Sequence, residues 1–126
     1  MTEAFTGDIQ ILLYTDEMKF SACRDFYRSL LGQEPYYTWD ENPQDCGAKF
    51  RAGRGTISVL CQVHDLQTGP VIINLETADV DRVYEAVKDL PGISVVHDPV
   101  TQSYGTRYFT VEDPCGNRIN IYRSNH

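Results

Sequence analysis

Short apolar runs and helical stripes alternate along the chain in an order that occurs twice. Asp8 to Thr15, DIQILLYT, is a brief β-prone apolar run of the kind that forms a strand buried on both faces. Asp16 then offers a side-chain cap. Phe20, Cys23, Phe26, Tyr27, Leu30 and Leu31 recur at helical spacing, which predicts a helix over about 18–31 that stops at Gly32. The aromatic run Tyr36, Tyr37, Trp39 follows, then the turn-rich loop DENPQD. Two further β-prone segments, Ala48 to Arg51 and Thr56 to Val63, are separated by AGRG. The first half reads β-α-β-β-β.

The polar link HDLQTGP leads to Val71 to Thr77, which repeats the character of the opening strand. Asp79 caps a second helix with Val80, Val83, Val87 and Leu90 on one stripe, and Pro91-Gly92 is expected to end it as Gly32 ends the first. Ile93 to His97, Gly105 to Glu112 and Asn117 to Arg123 supply three more strands. The last two are joined by the turn Asp113-Pro114-Cys115-Gly116, where Pro114 fixes φ and Asp113 and Asn117 can bond local backbone. The second half is again β-α-β-β-β. A single α+β domain over 1–126 is therefore expected, with modules at about 8–63 and 71–123. Neither half has enough helix to cover both faces of its four strands, so the sheets are expected to curl toward each other or toward a partner chain around a cavity. A ferredoxin-like α+β barrel is the alternative if Ala48 to Val63 forms one strand rather than two.

The stretch Tyr104 to Tyr122, YGTRYFTVEDPCGNRINIY, resembles the closing hairpin of the vicinal-oxygen-chelate superfamily, the glyoxalase/bleomycin-resistance/dioxygenase proteins. Asp25-Phe26-Tyr27 followed by Leu30-Leu31-Gly32 is similar to that superfamily's helix signature FYxxxLG. Turn, helix signature and doubled unit coincide in the right order over nearly the whole chain. The resemblance implies the glyoxalase/bleomycin-resistance fold, two βαβββ modules curled around a cavity. It also implies a homodimer, since in this family two chains commonly complete the cavities and bury the sheet edges.

Metal-using members are similar in placing a His, Gln or Glu on the first strand of each half and a Glu on the last. That arrangement leaves positions open for two vicinal substrate oxygens. The resemblance puts these positions at Asn120, at Ile72 by counting back from Asp79, at Ile9 by the same count from Asp16, and at Ser58 or Val59. None supplies an ionisable ligand, so no metal and no other cofactor is expected. A one-residue slip brings in Gln10, but it turns the side chain to the other face, and one amide is too little. His64, His97 and His126 lack ligand spacing and are read as solvated or hydrogen-bonded structural residues.

Composition narrows the partners. Hydrophobic residues make up 41% and charged residues 23%, an ordinary globular balance. A formal charge of -7 repels phosphate backbones and anionic lipid, so neither nucleic acid nor membrane is expected as a partner. No apolar stretch approaches the length of a membrane span. Cys23, Cys46, Cys61 and Cys115 are scattered without a CxxC, and MTEAFTGDIQ lacks the blocks of a signal peptide; both observations point to the cytoplasm.

Arg118, Asn120 and Tyr122 alternate onto one face of the last strand, and Asn74 and Glu76 onto one face of the fifth. Relatives point the Asn120 position inward, so these faces are expected to line the cavity among aromatics. The expected ligand-binding set is Tyr37, Trp39, Phe50, Asn74, Glu76, Tyr104, Arg107, Tyr108, Arg118, Asn120 and Tyr122. Tyr37 and Trp39, followed by Asp40 and Glu41, suit stacking on a planar or cationic ligand, while Arg107 or Arg118 suits an anionic group. The expected function is metal-free binding or sequestering of a small molecule, an aromatic or cationic compound such as an antibiotic. The alternative is an enzyme: a metal-dependent lyase, isomerase or dioxygenase with displaced ligands, or a metal-free one using Glu76 or a Tyr as acid–base.

Overall fold

The computed structural model describes residues 9–61 and 70–124. The first module runs β1 (Gln10–Tyr14), α1 (Phe20–Leu31), β2 (Tyr37–Asn42), β3 (Asp45–Ala52) and β4 (Gly55–Cys61). The second runs β5 (Ile72–Glu76), α2 (Val80–Val87), β6 (Ser94–Thr101), β7 (Arg107–Glu112) and β8 (Arg118–Arg123). Each module forms its own four-stranded sheet, ordered β1-β4-β3-β2 and β5-β8-β7-β6. In each, the first strand lies parallel to the last, and the remaining pairs are antiparallel. The segment Ala48–Cys61 is two strands, β3 and β4, turning at Gly53-Arg54, and this removes the ferredoxin-like alternative. Most of the link between modules, including His64, lies outside the described residues, as does His126.

Several boundaries differ from the sequence reading. DENPQD is not a loop: β2 continues to Asn42 and β3 begins at Asp45, leaving Pro43-Gln44 as the turn, where the Asn42 side chain accepts the Gln44 N–H at 2.8 Å. Asp16 accepts the Lys19 N–H at 2.8 Å, so it caps the turn that precedes α1, and Lys19 occupies the helix N-cap. Gly32 closes α1 in the left-handed region at φ 66°, whereas α2 stops at a right-handed Lys88, with Gly92 further along at φ 84°. Asp79 caps α2 as expected, accepting the Arg82 N–H. Strand β6 extends through Pro99 to Thr101 with two register shifts against β7, which an edge strand tolerates because its outer N–H groups need no partner.

The helix-facing sides of both sheets join one core. Leu13, Ala48, Phe50, Ile57 and Val59 belong to it with Cys23, Phe26, Tyr27 and Leu30 of α1; Ile73, Phe109, Val111, Ile119 and Ile121 belong to it with Val80 and Val87 of α2. Helix α1 also reaches the second module, where the Tyr27 hydroxyl donates to Asp113 at 2.7 Å and the Cys23 and Cys115 sulfurs lie 3.7 Å apart. On the other face of each sheet, strand alternation leaves a second set of side chains in solvent, among them Leu12, Tyr37 and Ile72, the last 71% exposed.

Candidate ligand-binding site

On the open face of the second sheet, one cross-strand row joins all four strands. His97 of β6 is the register partner of Thr110 of β7, Thr110 of Asn120 of β8, and Asn120 of Asn74 of β5. Their side chains are bonded end to end: His97 Nε2 to Thr110 Oγ1 at 3.0 Å, Thr110 Oγ1 to Asn120 Oδ1 at 2.7 Å, and Asn120 Nδ2 to Asn74 Oδ1 at 2.9 Å. The other ring nitrogen, His97 Nδ1, lies 2.8 Å from the Asp98 carbonyl oxygen. Tyr108 stands edge-on to His97, 4.8 Å between ring centroids, and pairs in register with Tyr122, which in turn neighbours Glu76. Arg118 bonds Glu112 at 3.1 Å.

The first sheet presents a different face. Trp39 lies across Gly47, whose missing Cβ makes the room, and its indole N–H donates to Asp45 at 3.0 Å. Tyr37 is beside it at 6.1 Å, with the Lys49 ammonium 5.6 Å from the Tyr37 ring centre. Arg51 sits over Tyr36 in the same way at 4.5 Å. Both aromatic faces are therefore already supplied with a cation by the chain itself. Towards the opposite edge of the sheet, on β4 and β1, the Ser58 hydroxyl donates to the Gln10 side-chain carbonyl oxygen.

Of the expected ligand-binding residues, Tyr37 and Trp39 lie on the open face of the first sheet, and Asn74, Glu76, Tyr108, Arg118, Asn120 and Tyr122 on that of the second. The two groups are not brought together, because β2 is the outer edge of its own sheet. Three residues lie elsewhere. Phe50 is fully buried in the core with α1, since it alternates with Lys49 and Arg51 rather than sharing their face. Arg107 alternates with Tyr108 onto the helix side, where two of its nitrogens hold Asp81 of α2 at 2.8 Å; those hydrogen bonds keep the Asp81 carboxyl below its ordinary range. Tyr104 is exposed in the β6–β7 connection. A groove of about 810 Å³ follows the seam between modules, lined by Arg51 and Arg54 on one side and Asn74, Glu76 and Tyr122 on the other.

His97 is hydrogen-bonded, as the sequence reading has it, but that reading places neither His97 nor Thr110 in the row with Asn120 and Asn74. The only signal for Thr110 was its alternation with Tyr108, and the register shifts around His97 break the alternation that would have placed it. Asn120 pairs with Asn74, two residues beyond Ile72, and Ser58 bonds Gln10 rather than Ile9.

Gln10, Ser58, Asn74 and Asn120 do not fit a divalent cation. They are neutral amides and a hydroxyl, poor ligands beside carboxylate or imidazole, and each is already bonded to a neighbour. Among the described residues no cluster of His, Cys, Asp or Glu has the makings of a metal site. No helix of the described residues is long and apolar enough to cross a membrane.

Two repeated βαβββ modules, each with a helix-covered and an open sheet face, define a small doubled-module α+β protein. Residues 10–121 match the family model of the Glyoxalase/Bleomycin resistance protein/Dioxygenase superfamily, and the chain belongs to that superfamily. Among similar solved structures, a glyoxalase / bleomycin resistance protein from Catenulispora acidiphila is 22% identical, with a TM-score of 0.73 over 94% of this chain and 99% of that one. Lactoylglutathione lyase from Agrobacterium tumefaciens is 19% identical, with a TM-score of 0.72 over 95% of each chain. TioX from Micromonospora sp. ML1 is 16% identical, with a TM-score of 0.72 over 94% and 98%. No curated protein matches the chain.

Proposed function

We propose that this superfamily member binds or sequesters a small aromatic compound, such as an antibiotic, on its open sheet faces without a metal. The observation that carries this reading is two pairs of mutually bonded neutral side chains, Asn74 with Asn120 and Gln10 with Ser58, at positions where a metal-using site requires charged or imidazole donors. Exposed Tyr37 beside Trp39 supplies a stacking surface, and Tyr108 and Tyr122 a second. Lys49 already occupies the Tyr37 face, which favours a neutral or anionic aromatic over a cationic one.

Exposed Leu12, Tyr37 and Ile72 on these faces support a homodimer in which a second copy covers part of them. The four free thiols, two of them 3.7 Å apart, support a reducing, cytoplasmic setting. Glu76, exposed on the open face, is the residue that favours a second reading, a metal-free enzyme using it as acid–base.

Trp39 is the only tryptophan, so its fluorescence reports binding at the first sheet directly. Saturable quenching by planar aromatic compounds, without their chemical conversion, is the result expected. Flat titrations across a diverse aromatic set, or stoichiometric divalent metal in untagged protein, would overturn the reading.

A further inference from the structure

Building on the reading that the open face of the second sheet meets the ligand, we propose that protonation of His97 sets whether Asn74 offers that ligand a hydrogen-bond donor or an acceptor. The inference follows from counting protons along the row. The Asp98 carbonyl oxygen only accepts, so His97 Nδ1, 2.8 Å away, carries a proton in both charge states, and the two states differ at Nε2.

When His97 is neutral, Nε2 accepts, and the Thr110 hydroxyl is the group placed to donate to it. That hydroxyl has one proton, so its oxygen must then accept from Asn120. The Asn120 amide nitrogen faces Thr110, its carbonyl faces the Asn74 nitrogen, and the Asn74 carbonyl oxygen is left pointing outward.

When His97 is charged, every bond reverses. Nε2–H donates to Thr110, the hydroxyl donates to Asn120 Oδ1 at 2.7 Å, Asn120 Nδ2 donates to Asn74 Oδ1 at 2.9 Å, and the Asn74 amide nitrogen is left for the ligand. The amide groups of Asn120 and Asn74 are oriented in the order of this second arrangement. A half-turn of two amide groups interconverts the two states at almost no change in shape. Thr110 is 4% exposed, so water has little access to the middle of the row to uncouple its ends.

The charged and titratable groups around His97 are few. On its own strand Asp98 accepts the Tyr84 hydroxyl of α2 at 2.7 Å; from β7 come Tyr108 and Glu112, and from β8 Tyr122 and Arg118, the last paired with Glu112. None of them replaces Thr110 as the neighbour of Nε2 in the hydrogen-bonded row. The ligand class follows: with His97 charged the site suits a group that accepts, such as an aromatic carboxylate, and with His97 neutral one that donates, such as an aromatic amine.

The test begins with ligand-free protein and NMR of side-chain amides across the pH range in which imidazole titrates. The Asn74 and Asn120 amide signals are expected to shift with the same midpoint as the His97 ring. Thr110→Val should leave His97 titrating while Asn74 no longer follows, and Thr110→Ser should restore the coupling. An Asn74 signal indifferent to His97 in the wild type, or one that follows it unchanged in Thr110→Val, would overturn the proposal. With ligands, benzoate should perturb the Asn74 amide below the midpoint and benzylamine above it; equal responses on both sides would also overturn it. If neither probe binds while the coupling stands, open-face binding is what fails, and the relay survives.

Discussion

The Tyr27 hydroxyl donates to Oδ2 of Asp113 at 2.7 Å, a bond that ties helix α1 of the first module to the β7–β8 turn of the second. Asp113 is 3% exposed, and it also accepts the side-chain amide of Asn117 and the backbone N–H groups of Cys115 and Asn117. A buried carboxylate is tolerable here because these four donors, with the weaker Cys23 thiol 3.9 Å from Oδ2, replace its water.

Tyr27→Phe removes one of those donors without changing the packing of the ring. A hydrogen bond to a charged acceptor contributes about 1.5–3 kcal/mol, and the variant is expected to lose about that much in urea unfolding. A loss under about 0.5 kcal/mol, the scale of an unremarkable surface change, would show that water replaces the hydroxyl and that the seam is looser than described.

Alkaline pH should destabilise the protein through the same cluster. Burial, with the Asp113 charge added, pushes both the Tyr27 phenol and the Cys23 thiol well above their ordinary values. The unfolded chain releases these protons near pH ~8.5 for the thiol and ~10 for the phenol, while the folded chain keeps them. Above those values the folded state binds more protons, so stability is complete below pH ~8.5 and falls by about 1.4 kcal/mol per pH unit for each group. Urea midpoints taken between neutral pH and pH ~10 should show the decline, and Cys23→Ala should remove the thiol's share of it. An equal slope in the variant would assign the alkaline loss to other groups.

Trp39 depends on Gly47. A Cβ at position 47 would stand 2.1 Å from the indole, so Gly47→Ala must move the ring off the sheet and away from Asp45. Overpacking of this kind costs about 1–3 kcal/mol. The fluorescence maximum of Gly47→Ala should move to the red as the indole enters water, and quenching by aromatic ligands should weaken. An unshifted spectrum would mean that the ring reorients in place.

The doubled β-α-β-β-β order was legible in the sequence because each element carries its own period. The stripe Phe26, Tyr27, Leu30 marks α1, and the run of residues 57–61 marks β4 without reference to the rest of the fold. Parity along β8 likewise placed Arg118, Asn120 and Tyr122 on one face. Phe50 was misjudged because aromaticity says nothing about which face of β3 a residue occupies, and Arg107 because it stands one residue from the open face. The pairing of Asn74 with Asn120 is a register between strands far apart in the chain, and the placement of His97 rests on irregular pairing of β6 with β7. Residue counts along one strand cannot supply either. The closeness of Cys23 to Cys115 is of the same kind, visible only once α1 docks on the second module.

The neutral donor set makes a prediction about metals that does not depend on any ligand. A cation that binds only the folded state raises stability by RT ln(1 + [L]/Kd), so a genuine site shows itself as a rise in Tm with added metal. Untagged wild-type protein should show no rise with zinc, nickel or manganese, and no fall after chelation. Asn74 and Asn120 are register partners with bonded side-chain tips, so a pair of real ligands placed there converges on one point. The double variant Asn74→His with Asn120→Glu should therefore gain a zinc- or nickel-dependent Tm that the wild type lacks. A metal-dependent rise in the wild type itself would mean that amides and hydroxyls on these faces do hold a cation, and the assignment of this chain to metal-free binding would fail with it.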